Sequence, residues 1–343
     1  MKVGIVTIFD AYNYGSFLQA FAMQRFLEQN GHNVYMIDVR TSLKSVVAQK
    51  YFAKSIKRTI LKLRRFFAYR KDWKKLNIVP CSKYPEIDIA LIGSDEVWNI
   101  ENGSFDHSTF YYGKIPRAQK VIAYAPSLGY STFESYQRRM DLCKSIKKNI
   151  TWFGARDSFT ESFLKAIGIV NINRVCDPTI LLYDKWVNFE NMNTLLPKKR
   201  YMIYYSYKEE TPFKDMILRF AAEKRLKVIS VGFDYKWCDA QIIASPFEFL
   251  HLVNNASYIV TSTYHGTLFS TMYKKKFIEV EPARKVVDYL EQIGVDRIAD
   301  INAGYDTFKN LLDSNIDYTQ IFEKFESMRK TSIVSLNLEI SNG

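Results

Sequence analysis

The segment "VNNASYIVTSTYHGTLFSTMYKKKFIEV", residues 253–280, contains the unit from which the fold is predicted. Residues 257–263 are apolar and β-branched, which is typical of a buried parallel strand. Residues 267–275 then place Leu268 and Met272 four positions apart, as on one face of a helix. Residues 275–280 (KKFIEV) predict a second strand. The order strand, helix, strand predicts a βαβ unit in a parallel sheet.

A histidine occupies the predicted turn between this strand and this helix. Ligands of open α/β sheets bind at the carboxyl ends of strands, and backbone N–H groups at a helix start favour anions. Gly266 would let the backbone approach a ligand closely. His265 is therefore a candidate catalytic residue, flanked by candidate binding residues Thr263, Tyr264, Gly266 and Thr267. A histidine that only caps the helix is the structural alternative.

Length and composition indicate a globular protein of two domains. The chain has 343 residues, of which 47% are hydrophobic and 15% aromatic. Residues 249–273 lack Asp, Glu, Lys and Arg but contain too many polar side chains for a membrane span. The amino-terminal sequence does not resemble a secretory signal, so a cytoplasmic location is expected. The four cysteines are far apart, which favours reduced thiols over a zinc site.

The same alternation of strands and helices recurs along the chain. It predicts an α/β fold of two Rossmann-like domains with parallel sheets, residues 1–184 and 200–343, with one large sheet as the alternative. Segment 174–182 (RVCDPTILL) is taken as the last strand of the first domain. Helical segments near 284–292 and 317–328 end the second domain, before a polar tail.

A basic segment, residues 44–75, interrupts the first domain. It has twelve Lys or Arg and one acid, Asp72, so it accounts for most of the net charge of +12. Its apolar residues recur at helical spacing and predict an amphipathic helix. Contact with an anionic membrane surface and a charged insertion packed on the domain are alternatives, and no nucleic-acid-binding motif accompanies the segment. The apolar stripe consists of Phe52, Ile56, Ile60, Leu63 and Phe67.

Polar residues follow several other predicted strands. A carboxylate can bind sugar hydroxyls and an aromatic face can stack on a sugar ring, which suits Asp95 and Trp98. Helix caps and turns would explain Ser94 and Ser127 equally well. Motifs for nicotinamide, P-loop, nucleophile-elbow and metal-dependent nucleotide-sugar sites do not occur, and we expect neither cofactor nor metal. The candidate binding residues of the first domain are Asn13, Gly15, Ser16, Ser94, Trp98, Ser127 and Arg156.

These motifs, in this order, resemble the polysaccharide pyruvyl transferase family over roughly residues 3–295. The matching segments are "YNYGSFLQAFAMQRFLEQNGH", "LIGSDEVWN", "VIAYAPSLG", "ARDSFTESFLKAIG", "CDPTILL" and "VTSTYHGTLFSTMYKKKFI". The resemblance implies a glycosyltransferase-B-like pair of domains. It also implies transfer of pyruvate from phosphoenolpyruvate to two sugar hydroxyls, as a ketal, on a cell-surface or lipid-linked saccharide. Some members have a basic residue where this chain has Thr263.

The residues fit that chemistry in the following roles. An imidazole can protonate the enol phosphate, which we assign to His265. Arg156 and the N–H groups after Gly266 would bind the carboxylate and phosphate. Asp95 would orient the acceptor or act as its base. The alternatives are a nucleotide-sugar glycosyltransferase of the same architecture and a non-catalytic membrane-surface or saccharide-binding protein.

Overall fold

The computed structural model describes residues 1–40, 56–103, 107–191 and 196–341. The chain divides into two compact units. The first comprises Met1–Ala53, Trp73–Leu182 and Phe325–Gly343, and the second comprises Lys54–Asp72 and Tyr183–Lys324.

Each unit is built on one sheet in which every described pairing is parallel. The strands of the first unit are β1 (Lys2–Val6), β2 (Asn33–Asp38), β3 (Ile78–Pro80), β4 (Ile87–Ile92), β5 (Ala118–Tyr124), β6 (Trp152–Ala155) and β7 (Ile172–Arg174). Those of the second are β8 (Tyr201–Tyr205), β9 (Lys227–Val231), β10 (Ala240–Ile242), β11 (Tyr258–Thr261) and β12 (Lys276–Glu279). The strand orders are β3-β2-β1-β4-β5-β6-β7 and β10-β9-β8-β11-β12.

Helices alternate with these strands along the chain. They are α1 (Tyr14–Gln29), α2 (Ile56–Trp73), α3 (Phe133–Gln137), α4 (Met140–Asn149), α5 (Ser158–Ala166), α6 (Pro178–Leu181), α7 (Lys214–Glu223), α8 (Pro246–Asn255), α9 (Tyr264–Met272), α10 (Arg284–Ile293), α11 (Gly304–Asp313) and α12 (Tyr318–Ser341). Short 3-10 helices lie at Thr109–Tyr112, Trp186–Phe189 and Ile301–Ala303.

The central strands are buried on both faces, as the unbroken apolar runs in their sequences require. All five residues of β8 are buried, and so are all four of β6 and β11. Helix starts are fixed by local side chains: Ser245 and Glu248 form a capping box at α8, with Pro246 in the first turn. These features confirm the predicted α/β fold of two Rossmann-like domains with parallel sheets.

The structure corrects the prediction for segment 174–182. Strand β7 ends at Arg174, and the rest of the segment leads into helix α6. The carboxylate of Asp177 accepts from the backbone N–H of Thr179, and Pro178 occupies the first turn. Asp-Pro at this point is a helix start rather than strand interior.

The expected domain boundaries are wrong at the carboxyl terminus. Helix α12 continues to Ser341, beyond the predicted end near 328, and its later part belongs to the first unit. There Ser332 accepts from the backbone N–H of Cys176 at 2.8 Å, and Glu339 pairs with Lys120 at 2.8 Å.

The basic helix also lies in a different unit from the one expected. Helix α2 groups with the second unit as far as Asp72, although it interrupts the sequence of the first. Residues 44–55 of the predicted helix, including Phe52, lie outside the described residues. Within the described ranges, no helix is long and apolar enough to cross a membrane.

Candidate functional site

The strand order of each sheet reverses at one point, and candidate residues lie at both points. In the first sheet the reversal falls between β1 and β4, and in the second between β8 and β11. Neighbouring connections there leave to opposite faces, which opens a crevice at the carboxyl ends where ligands of such sheets bind. Asp95 follows β4, and His265 follows β11.

The turn from β11 into α9 is fixed by threonine side chains. Thr263 is the N-cap of α9, and its hydroxyl accepts from the backbone N–H of Gly266 at 3.0 Å. The hydroxyl of Thr261 donates to the carbonyl of Tyr205 at the end of β8, at 2.7 Å. These bonds hold the first turn of α9, including His265, against the end of the neighbouring strand.

Residue 266 must be glycine because there is no room for a side chain. A Cβ atom there would lie 2.2 Å from the hydroxyl oxygen of Thr261 and 2.6 Å from that of Thr263. It would also lie 2.9 Å from the ring of Tyr205. Gly266 therefore serves close packing of helix on strand, in addition to any approach to a ligand.

His265 lies in the first turn of α9, next to an aromatic ring. The residue is 6% exposed. The Tyr264 ring lies edge-on to it, with centroids 5.2 Å apart. The ammonium of Lys285, from the start of α10, lies 5.9 Å from the centroid of the Tyr264 ring. Lys285 was missed by the sequence analysis, which had no spacing signal that would bring α10 to this turn.

Behind the turn lies an acid that the sequence analysis also missed. Glu279, the last residue of β12, is fully buried and accepts a hydrogen bond from the hydroxyl of Thr267. Its second carboxyl oxygen, Oε2, has no hydrogen-bond partner among the described residues. Burial raises the pKa of Glu279 well above its ordinary value. A lone acid at the end of an apolar strand was the available signal.

The first unit has a separate polar group at its own reversal point. The hydroxyl of Ser16 donates to the carboxylate of Asp95 at 2.8 Å. The amide of Gln19 donates to the hydroxyl of Thr7 at 3.0 Å and to the carbonyl of Ile8 at 2.9 Å. Gln19 was not among the predicted residues. The group joins the end of β1, the start of α1 and the segment after β4.

Other predicted residues of the first unit lie beside this group in structural roles. Asn13 caps α1 by accepting from the backbone N–H of Gly15 at 2.9 Å. Ser94 donates to the side chain of Gln19 at 2.9 Å. Ser127 accepts from the backbone N–H of Gly129 at 3.2 Å. The turn alternative therefore accounts for the contact of Ser127, and the contact of Asn13 is likewise a helix cap.

Two residues predicted to contact substrate, Trp98 and Arg156, are buried and bonded within the protein. Trp98 is fully buried, donates through Nε1 to the carbonyl of Tyr111 at 2.7 Å and packs near Phe163. Its ring is part of the core and offers no face to a sugar. Arg156 is also buried and forms an ion pair with Asp177. That contact links the end of β6 to the start of α6, and the assignment of Arg156 as the anion-binding residue stays a prediction.

The arrangement in the second unit combines a proton-transfer group with anion-binding groups. An imidazole, the N–H groups of a helix start and a lysine lie within one strand-to-helix turn and the helix beside it. Within the described ranges, no group of three or more His, Cys, Asp or Glu is placed to hold a metal ion.

Comparisons with known proteins agree with this architecture. The family model described as polysaccharide pyruvyl transferase matches residues 13–281, which is most of the chain. No curated protein matches significantly. Among solved structures, UDP-GlcNAc 2-epimerase from Neisseria meningitidis is similar at 11% identity and a TM-score of 0.57, over 99% of this chain and 100% of that one. The enzyme of the same name from Methanocaldococcus jannaschii is similar at 12% identity and a TM-score of 0.57, with the same coverage. At such identities the likeness shows the fold alone, which is glycosyltransferase-B-like.

Proposed function

This chain belongs to the polysaccharide pyruvyl transferase family, a family of transferase enzymes in polysaccharide biosynthesis, and we propose that its pyruvyl donor is phosphoenolpyruvate. The acceptor in this proposal is a pair of hydroxyls on a lipid-linked saccharide, and the product is a ketal. The observation that supports it most is the position of His265 at the reversal point of the second sheet, next to the Tyr264 ring near which the ammonium of Lys285 lies.

The reaction needs one proton delivered and two removed. Protonation of the methylene carbon of phosphoenolpyruvate makes its central carbon electrophilic, and one sugar hydroxyl adds there. Phosphate then leaves with its bonding electron pair as the second hydroxyl adds to the same carbon. Both hydroxyl protons are released. One of them makes up for the proton that was added to the methylene carbon. The products are the ketal and inorganic phosphate.

His265 is the proposed acid for the first step. An imidazole titrates near neutral pH and can both give and take a proton, and each such role contributes about 10²–10⁴-fold to a rate. A site in the first turn of a helix also places the reacting group next to backbone N–H groups that bind phosphate oxygens.

Lys285 takes the place of Arg156 in the proposed anion site. Phosphoenolpyruvate has a carboxylate and a phosphate, and a cation beside them offsets their charge during reaction. The guanidinium of Arg156 is already paired with Asp177, whereas the ammonium of Lys285 lies over the ring next to His265. Some members of the family have a basic residue at the position of Thr263. Threonine has no charge, so we assign the cationic role to Lys285.

Asp95 remains our proposed residue for orienting the acceptor. Its carboxylate is held by the hydroxyl of Ser16, so its position is fixed before any sugar binds. Carboxylates of this kind accept hydrogen bonds from sugar hydroxyls.

Acceptor-dependent release of inorganic phosphate from phosphoenolpyruvate tests this function. We expect release only when a saccharide with a suitable pair of hydroxyls is present. Transfer from a nucleotide sugar, with no use of phosphoenolpyruvate, would contradict the proposal and favour a glycosyltransferase.

A further inference from the structure

One side of helix α2 contacts the second unit. The guanidinium of Arg65 donates through Nε to the carbonyl of Gly232 at 2.7 Å and lies 4.8 Å from the ring centroid of Phe233. Near the end of the helix, the carboxylate of Asp72 accepts from the backbone N–H of Phe247 at 3.2 Å. Tyr69 is also buried. Successive residues turn by roughly 100°, so Arg65, Tyr69 and Asp72 share one side.

The apolar stripe lies on the opposite side and is exposed. Ile56 is 82% exposed, Ile60 53% and Phe67 59%, and Leu63 is partly exposed between them. Their spacing of 4, 3 and 4 keeps them in one line along the helix. A stripe that packed on the unit would be buried like Tyr69, so the charged-insertion alternative does not describe this side.

Cations flank the exposed stripe. Arg64 and Lys71 lie on one edge, and Arg70 lies on the other with its guanidinium 5.2 Å from the ring centroid of Phe67. All three are exposed. Lys57 lies beyond Arg64 and pairs with Asp234 at 3.4 Å, at 62% exposure of its side chain.

We propose that this side of α2 binds the surface of an anionic membrane. The flanking cations fit lipid phosphates, and the stripe fits the layer beneath the headgroups, where a helix lying in the plane of the interface buries its apolar face. A nucleic acid would pair with the cations but would leave Ile56, Ile60 and Phe67 in water. This surface is separate from the His265 turn, and the inference does not depend on the reaction.

Sedimentation with vesicles tests the proposal in the absence of any substrate. We expect the intact protein to bind phosphatidylglycerol-containing vesicles at low salt, to bind phosphatidylcholine vesicles much more weakly, and to be released near 1 M salt, where the Debye length is about 3 Å. The variant Arg64→Gln/Arg70→Gln/Lys71→Gln should bind about 100-fold more weakly, which corresponds to about 2.7 kcal/mol.

Two further variants separate this surface from general charge attraction. Ile60→Ser/Phe67→Ser retains every charge and should also lose most of its vesicle binding. Lys144→Gln/Lys147→Gln/Lys148→Gln removes the same charge from exposed positions on α4 and should bind as the unchanged protein does. Because all substituted residues are exposed, thermal unfolding should be unaltered.

Three results would overturn the proposal. The first is no binding to anionic vesicles at low salt. The second is equal weakening by the α2 and α4 charge variants. The third is vesicle binding that Ile60→Ser/Phe67→Ser does not weaken, together with competition by an oligonucleotide for the same cations. That result would indicate that this side of α2 binds nucleic acid instead.

Discussion

Lys285 and Glu279 are the residues that most change the chemistry expected of the His265 turn. Lys285 is a cation near the ring of Tyr264. Glu279 is a buried acid that accepts a hydrogen bond from the hydroxyl of Thr267. Together they add a positive charge near the Tyr264 ring and a buried acid of raised pKa behind the first turn of α9.

Replacing Lys285 by Met should weaken binding of phosphoenolpyruvate selectively. A charge-assisted hydrogen bond contributes about 1.5–3 kcal/mol, so we expect KM for phosphoenolpyruvate to rise roughly 10- to 100-fold. KM for the acceptor should change little. Steady-state kinetics with each substrate varied in turn measures both.

Lys274→Met is the matched control for that substitution. Lys274 also lies over an aromatic ring of the second unit, 5.0 Å from the centroid of Phe322, but away from α9's first turn. It should leave both KM values unchanged. If the two lysine variants behave alike, Lys285 does not bind the pyruvyl donor.

Glu279 should make the stability of the protein depend on pH, and Glu279→Gln should remove that dependence. Burial raises its folded-state pKa above the ordinary value of 4.5. Above pH 4.5 the carboxyl of Glu279 loses its proton in the unfolded chain and keeps it in the folded chain. The contribution of Glu279 to the free energy of unfolding therefore falls as pH rises toward the folded-state pKa. Glu279→Gln keeps an oxygen acceptor for Thr267 and does not titrate.

Denaturant unfolding at pH 5 and pH 7.5 measures this effect. The stability of Glu279→Gln relative to the unchanged protein should increase with pH, by up to about tenfold in the folding equilibrium constant per pH unit. A difference that stays constant between these pH values would show that the carboxyl ionises normally when folded.

At the residue scale, the sequence predicted which residues follow a strand better than it predicted the contacts of their side chains. His265 was chosen as a candidate because a turn after a buried strand is a known ligand position, and that inference needs only local sequence. Trp98 and Arg156 follow strands as well, but their side chains point into contacts with Tyr111 and Asp177, which are distant in sequence. Lys285 reaches Tyr264 only through the packing of α10 on α9.

Among the elements, the β11–α9 connection has little tolerance for change. Gly266→Ala would bring Cβ within 2.2 Å of the Thr261 hydroxyl oxygen. Overpacking of this kind costs about 1–3 kcal/mol, and the turn that presents His265 would shift. We expect lower stability and lower turnover in the same variant, measured by unfolding and by phosphate release.

Gly103→Ala is the control for that substitution. An added Cβ at Gly103 meets no atom within 4 Å, so stability should stay within about 0.5 kcal/mol of the unchanged protein. If Gly266→Ala were as stable and as active as Gly103→Ala, the close packing at the turn would not matter.

Most strands and helices were predictable because their patterns are local. The buried strands have unbroken apolar runs, and α8 has a capping box with proline in its first turn. Segment 174–182 was assigned wrongly because its apolar residues outweighed the Asp177–Pro178 helix start. The length of α12 was missed because its second half is stabilised by the first unit, through contacts such as Ser332 with Cys176.

At the scale of the whole molecule, both units are discontinuous in sequence. The second unit includes α2 from within the first, and the first includes the end of α12. A linear reading divides a chain at its linkers and cannot assign a segment that returns to a distant unit. The parallel direction of the strands within each sheet, by contrast, follows from the regular alternation of strands and helices.

The central claim is that this member of the family forms a pyruvate ketal on a saccharide, with His265 as the proton-transfer residue. Mass spectrometry of a lipid-linked saccharide panel incubated with phosphoenolpyruvate and the protein tests it directly. We predict a product about 70 Da heavier than its acceptor, formed at least 100-fold more slowly by His265→Asn. A gain of about 162 Da from a nucleotide sugar, or undiminished formation of the ketal by His265→Asn, would contradict the claim.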